Sequence, residues 1–129
     1  MPRTDTAATI ERFNRAFVEH DAALLRGLVG DNCVMEAIQP APDGERVEGG
    51  SACLAFWQAL AEDRTTQFAP EQIDIAGERA TIRWSYRYGP GVSDYVRGVN
   101  LMHVVDGVIV EALGYSKTPA EGAVPLAAD

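Results

Sequence analysis

The sequence is poor in cysteine and holds no cysteine–histidine cluster. Its only cysteines are Cys33 and Cys53, and neither belongs to a C-x-x-C motif or to a metal-binding Cys/His pattern. His20 and His103 also lack a second ligand at metal-binding spacing, and there is no phosphate-binding loop. We therefore predict neither a metal nor another cofactor. The cysteines are predicted to be two buried thiols in a reducing compartment, with a disulfide between them as the alternative.

Positive charge and long apolar runs are scarce as well. Lys and Arg total 11 against 19 Asp and Glu, which gives a net charge of −8. Nucleic acids and anionic membranes select a basic surface, so neither is expected as the main partner. The N-terminal residues include no apolar signal segment, and no run approaches the roughly 18 apolar residues of a membrane span. A cytoplasmic protein is the prediction.

The patterns that are present predict one domain over residues 1–116 and a flexible C-terminal tail over 117–129. The first helix begins near Thr6 and carries Ile10, Phe13 and Phe17 on one face. Helices come first and antiparallel strands follow, an order that favours an α+β fold with the helices on one face of a sheet. The other predicted elements are a short helix over 21–30, a strand over 33–38, a loop over 39–50, a third helix that starts at Ser51, strands over 67–76 and 78–88, and a final hairpin.

That final hairpin, VRGVNLMHVVDGVIVEALGY, is strongly apolar and yet contains an amide, Asn100. Asp106 and Gly107 favour a two-residue type I′ turn. Pairing across such a turn sets Asn100 opposite Leu113 and Met102 opposite Glu111, and opposed residues share a face of the sheet. The predicted ligand-facing wall is therefore Asn100, Met102, Leu113 and Tyr115. A local partner for the amide within the sheet is the alternative.

Aromatic and polar residues alternate along the preceding strand, which places Trp84, Tyr86 and Tyr88 on one face. A three-residue loop at Gly89 to Gly91 would put them on the same side as Asn100, whereas a four-residue loop would turn them outward. They are predicted either to line an apolar cavity with phenolic handles or to belong to an ordinary core or dimer surface.

Three stretches resemble the SnoaL-like and ketosteroid-isomerase-like proteins of the nuclear-transport-factor-2-like superfamily. They are HDAALLRGLVGDNCVME, GERATIRWSYRYGPG and GVNLMHVVDGVIVEALGY, and the likeness extends over roughly residues 6–116. The resemblance implies a cone-shaped α+β barrel in which a strongly curved antiparallel sheet wraps around N-terminal helices. It also implies a pocket between the sheet and the helices, and a homodimer formed through the outer sheet face, where Val99, Leu101, Val105, Val108 and Val110 are expected.

The catalytic residues of that group match this chain only in part. The position of the isomerase tyrosine holds Phe13, the position of the aspartate base holds Ala37 with Glu36 just before it, and the position of the acid holds Asn100. An amide donates a hydrogen bond but does not exchange a proton at neutral pH. Of the Arg-x-Asp pair and final aspartate of limonene-epoxide-hydrolase relatives, only Arg83 is kept. The chain is therefore predicted to be neither a standard ketosteroid isomerase nor an epoxide hydrolase.

Two functions remain as hypotheses. The first is a SnoaL-like isomerase, cyclase or hydratase acting on a small hydrophobic, oxygenated metabolite such as a polyketide or terpenoid. Asn100 would stabilise an oxyanion there, and Glu36 or water would move the proton. The second is a non-catalytic protein that binds the same kind of metabolite. The residues predicted to contact the metabolite are Phe13, Trp57, Trp84, Tyr86, Tyr88, Met102, Leu113 and Tyr115.

Overall fold

The computed structural model describes residues 2–40 and 42–117, which form an α+β fold built on one six-stranded sheet. The sheet order is β2-β1-β6-β5-β4-β3, and it is open, with β2 and β3 at its edges. All neighbouring strands are antiparallel except β1 and β6, which run parallel, so the sheet is mixed rather than purely antiparallel. The elements in chain order are α1 (Pro2–Val18), a 3-10 turn (Ala22–Leu25), β1 (Val29–Glu36), β2 (Arg46–Glu48), α2 (Gly50–Glu62), β3 (Gln67–Ala76), β4 (Arg79–Arg87), β5 (Tyr95–Val105) and β6 (Val108–Ser116).

Both helices pack on the same face of this sheet, called here the inner face. The helix α1 contacts β3 and its neighbours, and α2 contacts β1. Ile10, Phe13 and Phe17 of α1 are buried as the sequence predicts, and Trp57 is buried on α2. From β4 and β5 the inner face contributes alternate residues, since side chains on a strand alternate between faces. The core therefore lies between two helices and one side of the sheet.

The predicted second helix is a single 3-10 turn. Asp21 caps it as expected, because its carboxylate accepts a hydrogen bond from the Ala23 backbone N–H at 3.2 Å. Gly30, predicted to end the helix, is already part of β1, which starts before the predicted residue 33. The sequence thus predicts three helices where the described residues form two, with a capped turn between them.

The predicted loop over residues 39–50 contains a strand. Its residues Arg46–Glu48 form β2, which pairs with the end of β1 and exposes one edge of the sheet. The helix α2 then begins at Gly50 after Gly49, with no side-chain cap, so the predicted capping role of Ser51 is wrong. The predicted tail falls mainly on residues 118–129, which lie outside the described residues.

The β5–β6 hairpin turns at Asp106 and Gly107, as predicted. Both residues have positive φ, 52° and 80°, as a type I′ turn requires. Beyond the turn, however, Val104 pairs with Ile109 and His103 pairs with Glu111, so the partner strand contains one extra residue. This β-bulge changes which residues of β6 share a face with Asn100.

Candidate functional site

A cavity of about 590 Å³ lies between the inner face of the sheet and the two helices. Drug-sized ligands and cofactors usually occupy pockets of about 300–1,000 Å³. Its walls come from α1, α2 and every strand of the sheet except β2. The exposed lining residues include Gln39, Glu45 and Tyr88, which mark its mouth. The cavity is therefore large enough for a small organic molecule and opens to solvent on the side where β1 ends.

The apolar wall of the cavity is a continuous series of aromatic rings. Phe13 stands edge-on to Trp57, with ring centroids 5.1 Å apart, and to Phe17, at 4.9 Å. Phe17 then packs on Phe68 at 5.8 Å, and Phe68 on Trp84 at 6.0 Å. Edge-to-face and tilted pairs at these separations stabilise one another beyond their buried area. The wall is thus a set of rings already in contact, suited to a flat apolar ligand.

Asn100 borders this cavity with one polar atom in use and one free. Its Oδ1 accepts a hydrogen bond of 3.1 Å from Nε1 of Trp84, a buried residue on the neighbouring strand. An indole nitrogen can only donate, so the atom facing it is the amide oxygen. Among the described residues the amide nitrogen has no hydrogen-bond partner. Asn100 therefore has a local partner within the sheet, Trp84, but that partner bonds only the amide oxygen.

Five of the eight residues predicted to contact the metabolite border the cavity: Phe13, Trp57, Trp84, Tyr86 and Tyr88. The side chains of Trp84, Tyr86 and Tyr88 lie on the same face of the sheet as Asn100, because the loop between β4 and β5 has an odd number of residues. Tyr88 N–H donates to Asp94 O at 3.0 Å, so the loop spans five residues instead of the three or four considered. A five-residue loop preserves the parity of the three-residue alternative. That these five residues contact a ligand stays a prediction.

The other three, Met102, Leu113 and Tyr115, do not border the cavity, so that part of the predicted wall is wrong. The bulge pairs Asn100 with Gly114 and Met102 with Ala112. Leu113 therefore falls opposite Leu101 on the outer face of the sheet. Met102 is on the inner face but is 1% exposed within the core. Nothing in the hairpin sequence itself reveals where an extra residue is accommodated.

Tyr115 pairs with Val99 on the outer face and is 54% exposed. Its predicted place in the wall fails for the same one-residue shift. Gly114 and Ala112 border the cavity instead, and both are small.

Glu36 borders the cavity, but its carboxylate is held elsewhere. Cross-strand pairing sets Glu36 beside Arg46 and Leu113, on the outer side of β1. Its Oε2 lies 3.0 Å from Nη1 of Arg46. Glu36 is thus an ion-paired glutamate on the outer side of the sheet, and the structure does not present it as a base inside the cavity.

The other positions that correspond to catalytic residues of the family differ in whether they border the cavity. Phe13, Ala37 and Asn100 all border the cavity, although none carries the group that the ketosteroid isomerases use there. Arg83, the remnant of the epoxide-hydrolase pattern, donates from Nη1 to Oε1 of Gln72 at 3.3 Å and lies outside the cavity. Within the described residues, no cluster of three or more potential metal ligands occurs. No helix in that part of the chain is long and apolar enough to cross a membrane.

Sequence reasoning missed several lining residues, chief among them His20, Phe17 and Phe68. His20 lies two residues after the end of α1. Its ring Nδ1 lies 3.0 Å from Ala61 O and its Nε2 lies 3.1 Å from Oε1 of Gln67. These contacts join the end of α1 to α2 and β3 beside the cavity. Phe17 could have been found, since it stands one helical turn after Phe13.

Comparison with known proteins places this architecture in a family. The SnoaL-like domain profile matches residues 10–112. No curated protein sequence matches the chain significantly.

The chain is also similar to several solved structures. A crystal structure of an NTF2-like protein of unknown function from Mesorhizobium loti is 47% identical, covers 92% of this chain and 95% of its own, and has a TM-score of 0.85. A proposed ketosteroid isomerase from Kribbella flavida is 19% identical, with coverages of 95% and 84% and a TM-score of 0.75. A proposed polyketide cyclase from Sinorhizobium meliloti is 20% identical, with coverages of 83% and 93% and a TM-score of 0.66. The last two likenesses establish a shared fold.

Proposed function

Because the chain belongs to the SnoaL-like domain family, we propose that it is a small-molecule enzyme of the isomerase, cyclase or hydratase type. Its substrate would be a hydrophobic, oxygenated metabolite such as a polyketide or terpenoid. The observation that carries the proposal is the amide nitrogen of Asn100, a donor at the edge of an aromatic cavity that has no hydrogen-bond partner among the residues the structure describes.

The chemistry follows from what that donor can do. A hydrogen bond from Asn100 to a carbonyl oxygen becomes stronger as negative charge develops on the oxygen, which lowers the barrier to removing a neighbouring proton. In an apolar cavity the gain exceeds that in water, because little solvent screens the charge. Glu36 is tied to Arg46, so the proton acceptor would be water or another group at the mouth, where Glu45 is exposed.

A second candidate function is binding without chemistry. The observation in its favour is the Glu36–Arg46 ion pair, which holds the Glu36 carboxylate outside the cavity and so removes Glu36 as its base. The fold that the chain shares with a proposed isomerase and a proposed cyclase favours the enzyme. Both candidates require Asn100 to hold an oxygen of the ligand.

The test uses 1-indanone, a flat bicyclic ketone of suitable size, as the probe. We expect Asn100→Ala to weaken binding of 1-indanone about 5- to 10-fold, as a lost hydrogen bond would. Asn32→Ala is the matched control, because Asn32 is exposed on β1 and does not border the cavity. Binding is measured by NMR titration, and thermal unfolding checks that each variant keeps its fold. Equal binding by wild type and Asn100→Leu would refute the proposal.

Catalysis is separated from binding by hydrogen–deuterium exchange at the carbon next to the ketone of 1-indanone in D₂O. The enzyme proposal predicts exchange faster than in buffer, and slower exchange in Asn100→Ala. Asn100→Asp sharpens this test, because desolvation should raise the pKa of the new carboxyl and let it both donate and transfer a proton. Tight, Asn100-dependent binding without accelerated exchange in any variant would favour the binding protein.

A further inference from the structure

We infer that Trp84 is a positioning residue that fixes Asn100 as a hydrogen-bond donor, so that the cavity selects ligands with an acceptor oxygen over ligands with a donor. The inference rests on the proposed function, since it specifies the polarity of the same site. It assigns the choice of ligand to a residue that need not touch the ligand's polar group itself.

The hydrogen bond between the two side chains determines the direction of the amide. Trp84 is 4% exposed, so its Nε1–H depends on a protein partner, and that partner is Oδ1 of Asn100 at 3.1 Å. Rotating the amide by a half turn would set its N–H groups against the indole N–H and leave a buried donor unpaired. A free asparagine offers a ligand its oxygen or its nitrogen equally, whereas here one lone pair of the oxygen is already engaged by Trp84, and the amide nitrogen is the atom that has no hydrogen bond among the described residues.

The sequence provides space for this arrangement through Gly98. Trp84 pairs with Gly98 across β4 and β5, and the six-membered ring of the indole lies against the Gly98 backbone. Any Cβ at residue 98 would overlap Trp84 Cη2 and the backbone oxygen of Tyr115. The missing side chain therefore lets the indole lie across β5 and reach Asn100, two residues further along that strand.

Gly114, on the other side of Asn100, has a related effect. A Cβ there would lie 3.3 Å from Asn100 Oδ1 and 3.2 Å from Glu36 O, tighter than most such contacts. Gly98 and Gly114 thus leave room for the Trp84 indole and the Asn100 amide to lie side by side in one arrangement. The apolar surroundings leave the free N–H₂ as the polar group that β5 presents to a ligand in the cavity.

The experiment compares three flat probes of similar size with different polarity. 1-Indanone only accepts hydrogen bonds, indole only donates one, and indene does neither. Wild type is expected to bind 1-indanone about 5- to 10-fold more tightly than indene, and indole no more tightly than indene. Because this comparison needs no variant, indole binding as tightly as 1-indanone to the wild type would overturn the inference.

The variant that tests the role of Trp84 is Trp84→Phe, which keeps an aromatic ring and removes the N–H. Without the hydrogen bond from Trp84 the Asn100 amide can rotate, so the ratio of indole affinity to 1-indanone affinity should rise several-fold towards one. Trp57→Phe is the matched control, since it removes the other indole of the same cavity, which is not bonded to Asn100. A purely structural role would lower the affinity for all three probes together.

The outcomes separate this inference from the proposed function. A ratio unchanged in Trp84→Phe, with 1-indanone still dependent on Asn100, overturns the positioning role and leaves the proposed function standing. Binding of no probe to the wild type removes both. The side-chain amide resonances of Asn100 give a check without ligand, since Trp84→Phe should shift them and Trp57→Phe should not.

Discussion

At the scale of single residues, the molecule places polar groups where apolar neighbours determine their chemistry. Asn100 satisfies the indole N–H of Trp84 through its amide oxygen and keeps its amide nitrogen for the cavity. Cys33 and Cys53 are the opposite case, because both are fully buried and have no role at the cavity. They are free thiols, as predicted, and Cys53 Sγ donates weakly to Cys33 O at 3.4 Å. Burial suppresses the reactivity of the two thiols, whereas at Asn100 the buried surroundings determine which atom of the amide is available.

The thiol of Cys33 should make the protein sensitive to alkaline pH. Burial, and secondarily Cys53, raise its pKa from 9.0 to about 12. Above pH 9 the unfolded chain therefore loses a proton that the folded chain keeps, so folding stability falls as pH rises, by at most about 1.4 kcal/mol per pH unit until about pH 12. Urea unfolding of wild type and Cys33→Ala at about pH 8 and pH 10 measures this. A stability difference between the two proteins that does not change with pH would contradict it.

At the scale of elements, α1 and the hairpin turn, which depend on the local sequence pattern, are predicted correctly, whereas features that depend on strand pairing are not. The period of Ile10, Phe13 and Phe17 predicts α1, and Asp106-Gly107 predicts the turn, because each follows from neighbours in the chain. The bulge opposite His103 depends on how two strands fit the whole sheet, and one extra residue moves Leu113 and Tyr115 to the outer face. Strand β2 was missed for a related reason, since it follows glycine- and proline-rich residues and exists through its pairing with β1.

The end of α1 offers a test of how one residue joins elements. His20 has a φ of 56°, and the bonds Asp21 N–H to Ala16 O (2.8 Å) and His20 N–H to Phe17 O (3.4 Å) form the Schellman pattern, where glycine is usual. His20→Ala loses the ring contacts and keeps the backbone strain, whereas His20→Gly loses the same contacts and relieves that strain. We expect the glycine variant to be more stable than the alanine variant by about 1 kcal/mol, with both below wild type. Urea unfolding checks this, and a glycine variant no more stable than alanine would refute the strain.

At the scale of the whole molecule, the sheet has two faces with different tasks. The inner face carries the helices, the core and the cavity. The outer face presents Val99, Leu101, Leu113 and Tyr115 as neighbours across β5 and β6, with Leu101 43% and Tyr115 54% exposed. Charged pairs lie around this patch, such as Arg97 with Glu71 and Arg46 with Glu36. An apolar centre with a charged rim is the usual composition of a protein interface.

We propose that this outer patch forms a homodimer, as the family resemblance implies. Of the residues expected there, Leu101 is exposed while Val99, Val105, Val108 and Val110 are partly covered within the chain, so Leu101 is the residue to change. Leu101→Lys would bury a charge against the partner and should raise the dimer dissociation constant at least tenfold, equivalent to about 1.4 kcal/mol. Val92→Lys is the control, because Val92 is 91% exposed in the loop between β4 and β5. Sedimentation velocity over a range of concentrations should show a dimer for wild type and the control, and mainly monomer for Leu101→Lys at the same concentration. A wild-type protein that is monomeric at micromolar concentration would show that this face has another use.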